Sequence, residues 1–215
     1  MSYAQKDLLP VLITSKKLYK PNQALAIQRG TNYQADYVSH FNLETIKLIL
    51  SVLGKERDKL LVKVLFDGCF RCSEAISIRP ADIIQDDTGW SIRILGKGNK
   101  RSVVAISASL AAQIQSYAYR NNILPEQRIF PITRGRVHQI IKKALSQCAV
   151  VKPDGVGSVH ILRHSGAIER LKQTGNPKAV QEQLRHKSAQ MTLRYMKTLS
   201  HIEAIEIQKG VDFQW

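Results

Sequence analysis

Apolar positions settle into a helical rhythm from Asn42 onward. Leu43, Ile46, Leu50 and Leu53 mark one face of a helix, and Asn42 suits its N-cap because its side-chain oxygen can take an unpaired N–H of the first turn, where Glu44 and Thr45 sit. A second helix is predicted over 56–66, with Leu60, Leu61, Val64 and Leu65 on its apolar side. After Pro80 the rhythm shortens. Ile83-Ile84-Gln85 and Trp90 to Leu95 flank the turn Asp86-Asp87-Thr88-Gly89, and Gly96 to Lys100 is a second turn before Ser102 to Ile106, so three short antiparallel strands are expected. Helical patterns return at about 108–121, 134–148, 158–173, 177–185 and 188–197, with Gly175-Asn176-Pro177 separating the third from the fourth. A last amphipathic piece over 200–209 precedes the tail Gly210 to Trp215. The predicted fold is α+β and mostly helical, with a small three-stranded antiparallel sheet. Residues 1–40 have weak periodicity, a basic patch at Lys16, Lys17 and Lys20, and turn formers at Pro21, Asn22 and Gly30. They read as an arm or linker with room for one short helix.

Length and charge narrow the class. A chain of 215 residues suits one substantial domain with a short appendage. Its 32 Lys and Arg against 17 Asp and Glu leave a net charge of +15, which favours a polyanionic partner such as DNA or RNA, although charge alone is also compatible with a merely basic protein. No run reaches the roughly 18 apolar residues of a membrane span, and the N-terminus lacks an apolar signal core, so a cytoplasmic location is expected. Cys69, Cys72 and Cys148 are too few and too odd in number for an extracellular disulfide scaffold. Cys69 and Cys72 have C-x-x-C spacing, but no second ligand pair accompanies them, and two partly buried helix thiols are the default expectation.

Candidate chemistry concentrates between His160 and Tyr195. His160-Ile161-Leu162-Arg163-His164 places His160 and Arg163 three apart on one helix face, where both can approach one anion. A phosphodiester resists attack because its oxygens are anionic. An arginine fork neutralises two of them and never loses its proton at neutral pH. A second arginine stands far away, in Phe70-Arg71-Cys72-Ser73-Glu74, where Glu74 is placed to pair with it. Lysines in the turn Gly96-Lys97-Gly98-Asn99-Lys100-Arg101 can act as proton donors when neighbouring cations lower their pKa. Ordinary alternatives exist for each: a solvated basic face for His160 and Arg163, a simple ion pair for Arg71, and backbone phosphate binding for Lys97 and Lys100.

Taken together these segments resemble the tyrosine recombinase, or phage integrase, family. Arg71 to Glu74 is similar to its Leu-Arg-x-Ser-Glu motif, His160 to Arg163 to its His-x-x-Arg, and Tyr195 follows His186 at the family's nine-residue distance within Met191 to Met196. The resemblance covers roughly residues 42–198. It implies a catalytic set of Arg71, Lys97, His160, Arg163, His186 and Tyr195, with Glu74 supporting Arg71 from behind and Lys100 as the competitor to Lys97. It further implies attack by Tyr195 on the scissile phosphate, a 3′-phosphotyrosine intermediate and a free 5′-hydroxyl, with no metal, cofactor or ATP. His160 then assists proton movement or binds the phosphate, and His186 donates to a non-bridging oxygen. The implied partner is a double-stranded DNA recombination site, with two protomers on a site, four in a synapse and a monomer when free. Lys100, Arg101, Arg134, Arg136, Lys142 and Lys143, with His138, are the candidate DNA contacts. A mobile element is the expected source.

Three departures qualify the resemblance. Arg185 stands before His186 where the family usually has Gly, and can alter the helix entry or supply another phosphate contact. Cys69 also occupies a place where Gly is common. The residues before the catalytic region, 1–40, are too few for the helical DNA clamp of about one hundred residues that most members carry. The resulting division is an arm or linker at 1–40, a catalytic domain at 41–199 and a tail at 200–215, whose Ile202, Ile205, Ile207 and Trp215 can dock on a neighbour. Competing readings are a type IB topoisomerase-like relaxing enzyme, a non-cleaving DNA-binding regulator of the same fold, and a metal hydrolase using His160 and His164. The last lacks the Glu of a His-Glu-x-x-His motif, since Ile161 stands there.

Overall fold

A computed structural model of the chain describes residues 37–95, 101–153, 155–185 and 189–209, and the side chains of all of these except 189 and 204–209. The helices are α1 (Leu43–Val52), α2 (Glu56–Asp67), the short α3 (Cys72–Ala75), α4 (Ala108–Arg120), α5 (Arg134–Gln147), α6 (His160–Thr174), α7 (Pro177–Leu184) and α8 (Ala189–Lys209). Between α3 and α4 lie β1 (Ile83–Asp86), β2 (Gly89–Leu95) and β3 (Arg101–Ala105), in the order β1-β2-β3 and antiparallel throughout. Ile83 faces Ile92 and Ile92 faces Val104, so one side of the sheet presents aliphatic residues to the core while Val103 and Leu95 point to solvent.

Local sequence sets the helix starts. Asn42, Ser107, Thr133 and Asn176 each accept a first-turn N–H on a side-chain oxygen, at 2.9, 3.1, 3.2 and 3.0 Å. Gly175 ends α6 at φ 61°, a left-handed turn that a side chain would oppose.

A large core joins α1, α2, the sheet, α4 and α5 around Ile49, Leu61, Leu65, Phe70, Ile92, Ile114 and Phe130. A smaller one lies between α6, α7 and α8, built from Cys69, Ala167, Ile168, Leu171, Val180, Leu184 and Tyr195. Gly166 lets α2 and α6 approach closely, since a Cβ there would lie 1.9 Å from the Phe66 carbonyl oxygen. The chain entering the domain is pinned to the same helices: Phe41 N–H donates to Ser165 Oγ at 2.7 Å and Val38 N–H to Thr198 Oγ1 at 2.8 Å.

Two expectations need correction. The pieces expected at 188–197 and 200–209 are one continuous helix, α8, because Thr198-Leu199-Ser200 contains no residue that stops a helix. Cys69 is not a helix thiol: it forms the turn between α2 and α3 at φ 50° and is fully buried. Among the described residues no helix is long and apolar enough to cross a membrane.

Candidate active site

The site forms where the α2–α3 turn meets the start of α6 and the end of α7. Arg71 is the N-cap of α3, and its backbone N–H donates to Glu74 Oε2 at 2.7 Å while its guanidinium donates to Glu74 Oε1 at 2.8 Å. These two bonds hold the arginine against a carboxylate that is only 5% exposed. Arg71 itself is 45% exposed, so one side of its fork remains open.

Arg163 reaches the same carboxylate from α6. Its Nη1 lies 4.0 Å from Glu74 Oε2, with further bonds from Nη1 to the Cys69 carbonyl and from Nη2 to the Leu184 carbonyl at 2.6 Å. Each of these nitrogens carries a second N–H beyond the one given to a carbonyl. Burial, then repulsion from Arg71 and Arg185, pushes Arg163 down to about 10, which leaves it protonated at neutral pH. The two arginines expected to form an anion clamp therefore meet, although 92 positions separate them in the chain.

Arg185 joins them. It caps α7 in the left-handed region, at φ 54° and ψ 44°, and its Nη2 donates to Glu74 Oε2 at 2.6 Å. Cys69 and Arg185, the two positions where the family resemblance calls for glycine, are thus both left-handed. Burial opposes ionisation of Glu74, but the Arg71 N–H and the Arg185 and Arg71 guanidinia outweigh it and hold its carboxyl below the ordinary value.

His160 opens α6 and is exposed. Desolvation, then the positive field of Arg163, His138, Arg71 and Arg134, lowers its pKa, so the neutral imidazole prevails at pH 7. His138 on α5 is bonded through Nδ1 to Ser158 Oγ at 3.1 Å, which ties α5 to the entry of α6. On α5 Val137, Ile140, Ile141, Ala144 and Leu145 are buried, while Arg134, Arg136, Lys142 and Lys143 are exposed. Arg101 is exposed at the start of β3. Lys97, Lys100 and His186 lie outside the described residues.

Tyr195 departs most from the simple picture. It is fully buried in the small core, and its Oη is hydrogen-bonded to His164 Nδ1 at 2.6 Å. Burial pushes its pKa up to about 12, against the opposing pull of Arg163, so the phenol is protonated at rest. His164 has no assigned part in the sequence-derived chemistry beyond the metal-ligand alternative. The only signal for its contact is shared amphipathic register, because 31 residues separate it from Tyr195. Gln183 Nε2 donates to the carbonyls of Ala105 at 2.8 Å and Gly68 at 3.2 Å, and Arg170 pairs with Asp67 at 2.9 Å.

Residues 38–201 match the sequence profile of the phage integrase family. The chain belongs to that family. The tyrosine recombinase XerH of Campylobacter jejuni is 32% identical over 138 residues, covering 61% of this chain and 38% of its own length. XerC of Nitrobacter winogradskyi is 32% identical over 146 residues, covering 65% and 45% respectively. XerA of Thermococcus onnurineus is 31% identical over 167 residues, covering 74% and 58%. The chain thus spans well under two thirds of the length of these relatives. Among solved structures, XerH bound to a difH substrate superposes with a TM-score of 0.62 at 20% identity, covering 79% of this chain and 53% of that one. The catalytic domain of bacteriophage HP1 integrase gives 0.58 at 21% identity, covering 79% of this chain and 94% of that one. These superpositions establish a phage integrase catalytic-domain fold.

Proposed function

We propose that this protein cuts and rejoins DNA at specific sites through a covalent 3′-phosphotyrosine intermediate on Tyr195, without metal or ATP. The observation that carries this reading is the convergence of Arg71 and Arg163 on Glu74, at 2.8 and 4.0 Å, from two distant segments. Two permanent cations held side by side on one carboxylate suit the two non-bridging oxygens of a phosphodiester. Named tyrosine recombinases among the relatives, and a XerH structure with a difH substrate among the neighbours, support the same substrate class.

In the proposed reaction Tyr195 Oη bonds to phosphorus and the bond from phosphorus to the 5′-oxygen breaks. The phenolic proton passes to a neutral imidazole, for which His160 is the candidate, and Lys97 supplies the proton taken up by the departing 5′-oxygen. His186 donates to a non-bridging oxygen. The phosphoester is conserved, so a 5′-hydroxyl reverses the step. Because Tyr195 is buried and held by His164, the second turn of α8, which carries it, must shift before attack. In this reading DNA engagement supplies the change.

Arg134, Arg136, Lys142 and Lys143 on α5 and Arg101 on β3 track the DNA backbone in this reading, with Lys100 beside them. Two protomers act on each site and four in a synapse. The protein works in the cytoplasm on behalf of a mobile element. Burial of Tyr195 also favours a second reading, a DNA-binding regulator that does not cleave.

One experiment separates the two. Nicked duplexes with a randomised core are incubated with wild type and Tyr195→Phe, and SDS-resistant protein–DNA adducts are selected and sequenced. Wild type is expected to enrich a defined site, with EDTA present, and the variant to yield nothing. Absence of adducts with wild type leaves the regulator. Adducts without sequence enrichment indicate a topoisomerase-like relaxing enzyme.

A further inference from the structure

Arg185 sits at φ 54° and ψ 44°, a conformation that glycine adopts freely and a branched-out side chain does not. Its side chain nevertheless turns inward. Nη1 donates to the Gln183 carbonyl at 3.1 Å and Nη2 to Glu74 Oε2 at 2.6 Å, 111 residues away, leaving the side chain 15% exposed. Glu74 already receives the Arg71 N–H and guanidinium, and Arg163 stands 4.0 Å from the same Oε2. One carboxylate faces three guanidinium groups.

A purely structural ion pair requires one cation for one anion. Here the cluster carries a net +2 in a partly buried place, and such an excess is costly unless a further anion completes it. Arg185 Nη2 and the Arg71 N–H both occupy Oε2, at 2.6 and 2.7 Å, while Arg163, tied to the Cys69 and Leu184 carbonyls, stands 4.0 Å from it and keeps N–H groups for another acceptor.

We propose that Arg185 is a third cation of the phosphate clamp, a positioning residue that adds its charge to the site through its hold on Glu74. The proposal rests on the phosphoryl-transfer reading above. Burial and the charge of Arg71 lower the pKa of Arg185, as expected for a cation crowded by its neighbours, while Glu74 raises it.

The test compares wild type with Arg185→Gly, Arg185→Gln and Arg185→Lys in the full chain. Three quantities are measured: thermal stability, the salt dependence of binding to a non-specific duplex, and single-turnover adduct formation on the selected site. Arg185→Gly relieves the left-handed backbone but removes the bond to Glu74, and adduct formation is expected to fall roughly tenfold to a hundredfold. The slope of log affinity against log salt is expected to fall by about one in the Gly and Gln variants and to recover in Arg185→Lys. Gln keeps a side chain at the left-handed position, so it decides the matter if the Gly variant fails to fold. Wild-type rates and an unchanged slope in both uncharged variants overturn the proposal. If wild type itself forms no adduct, the reaction reading fails, and the salt slope alone then decides whether Arg185 belongs to an anion clamp.

Discussion

Replacing Glu74 by Gln tests the organisation of the site without touching any group proposed to meet the phosphate. Glu74 is 5% exposed and receives the Arg71 N–H at 2.7 Å, the Arg71 guanidinium at 2.8 Å and Arg185 at 2.6 Å, with Arg163 at 4.0 Å. The amide keeps the shape and one acceptor but leaves three guanidinium groups unneutralised. Breaking a buried ion pair from one side costs about 3–5 kcal/mol. The Arg71 share is discounted because that side chain is 45% exposed and screened by water, which leaves about 2–4 kcal/mol. For a domain of this size the melting temperature should fall by roughly 4–16 °C.

The pH dependence has a definite sign. Glu74 has its folded pKa lowered from 4.5, so its contribution is complete above the ordinary carboxylate pKa and is lost as pH falls through the depressed folded value. Urea denaturation of both proteins between pH 3 and pH 7 should therefore show a stability gap that is largest at neutral pH and closes in acid. Added sulfate should narrow the gap at pH 7, because the dianion binds the uncompensated cluster more tightly than the wild-type one. A Glu74→Gln protein within about 0.5 kcal/mol of wild type at pH 7, with no closing of the gap in acid, would refute this account of the cluster.

Other expectations follow from single contacts. Gly166→Ala should destabilise by about 1–3 kcal/mol or more in chemical denaturation, since its Cβ would lie 1.9 Å from the Phe66 carbonyl oxygen and α2 and α6 must separate. In an NMR titration the His160 imidazole should titrate below 6.5, and Arg163→Gln should move it upward by removing a facing positive charge. His160→Gln should slow adduct formation about a hundredfold or more if the imidazole takes the phenolic proton. Removing the exposed Arg134 and Arg136 together should reduce the salt slope of DNA binding by about 2 with little loss of stability, whereas an unchanged slope would take the α5 face out of the DNA interface.

Much of the fold was legible because its signals are local. Asn42 before an apolar face, the Asp87-Thr88 hairpin and Gly175-Asn176-Pro177 each act within a few residues, and each marks an observed boundary. The pairing of Arg71 with Glu74 was equally local, one helical turn in a capping geometry. Contacts across the chain were less legible. Motif order brought Arg71 and Arg163 to one site, but nothing in their spacing says that Arg163 would be tied to the carbonyls of Cys69 and Leu184. The Arg185–Glu74 bond depends on a left-handed residue aiming a long side chain back across the site, which no periodicity encodes. His164 and Tyr195 meet only because α6 and α8 pack with α7 around a shared small core. The split expected within α8 failed for a related reason: amphipathic register drifts along a long helix without any residue that ends it.

The central claim is that Tyr195 becomes covalently joined to DNA at a phosphate held by Arg71 and Arg163. Its most direct test is mass spectrometry of the wild-type adduct after nuclease and protease digestion, using a site recovered by covalent selection. The account predicts a single nucleotide-modified peptide with the modification on Tyr195, and loss of that peptide in Tyr195→Phe. A modification mapped to any other residue, or an adduct that persists in Tyr195→Phe, would contradict it.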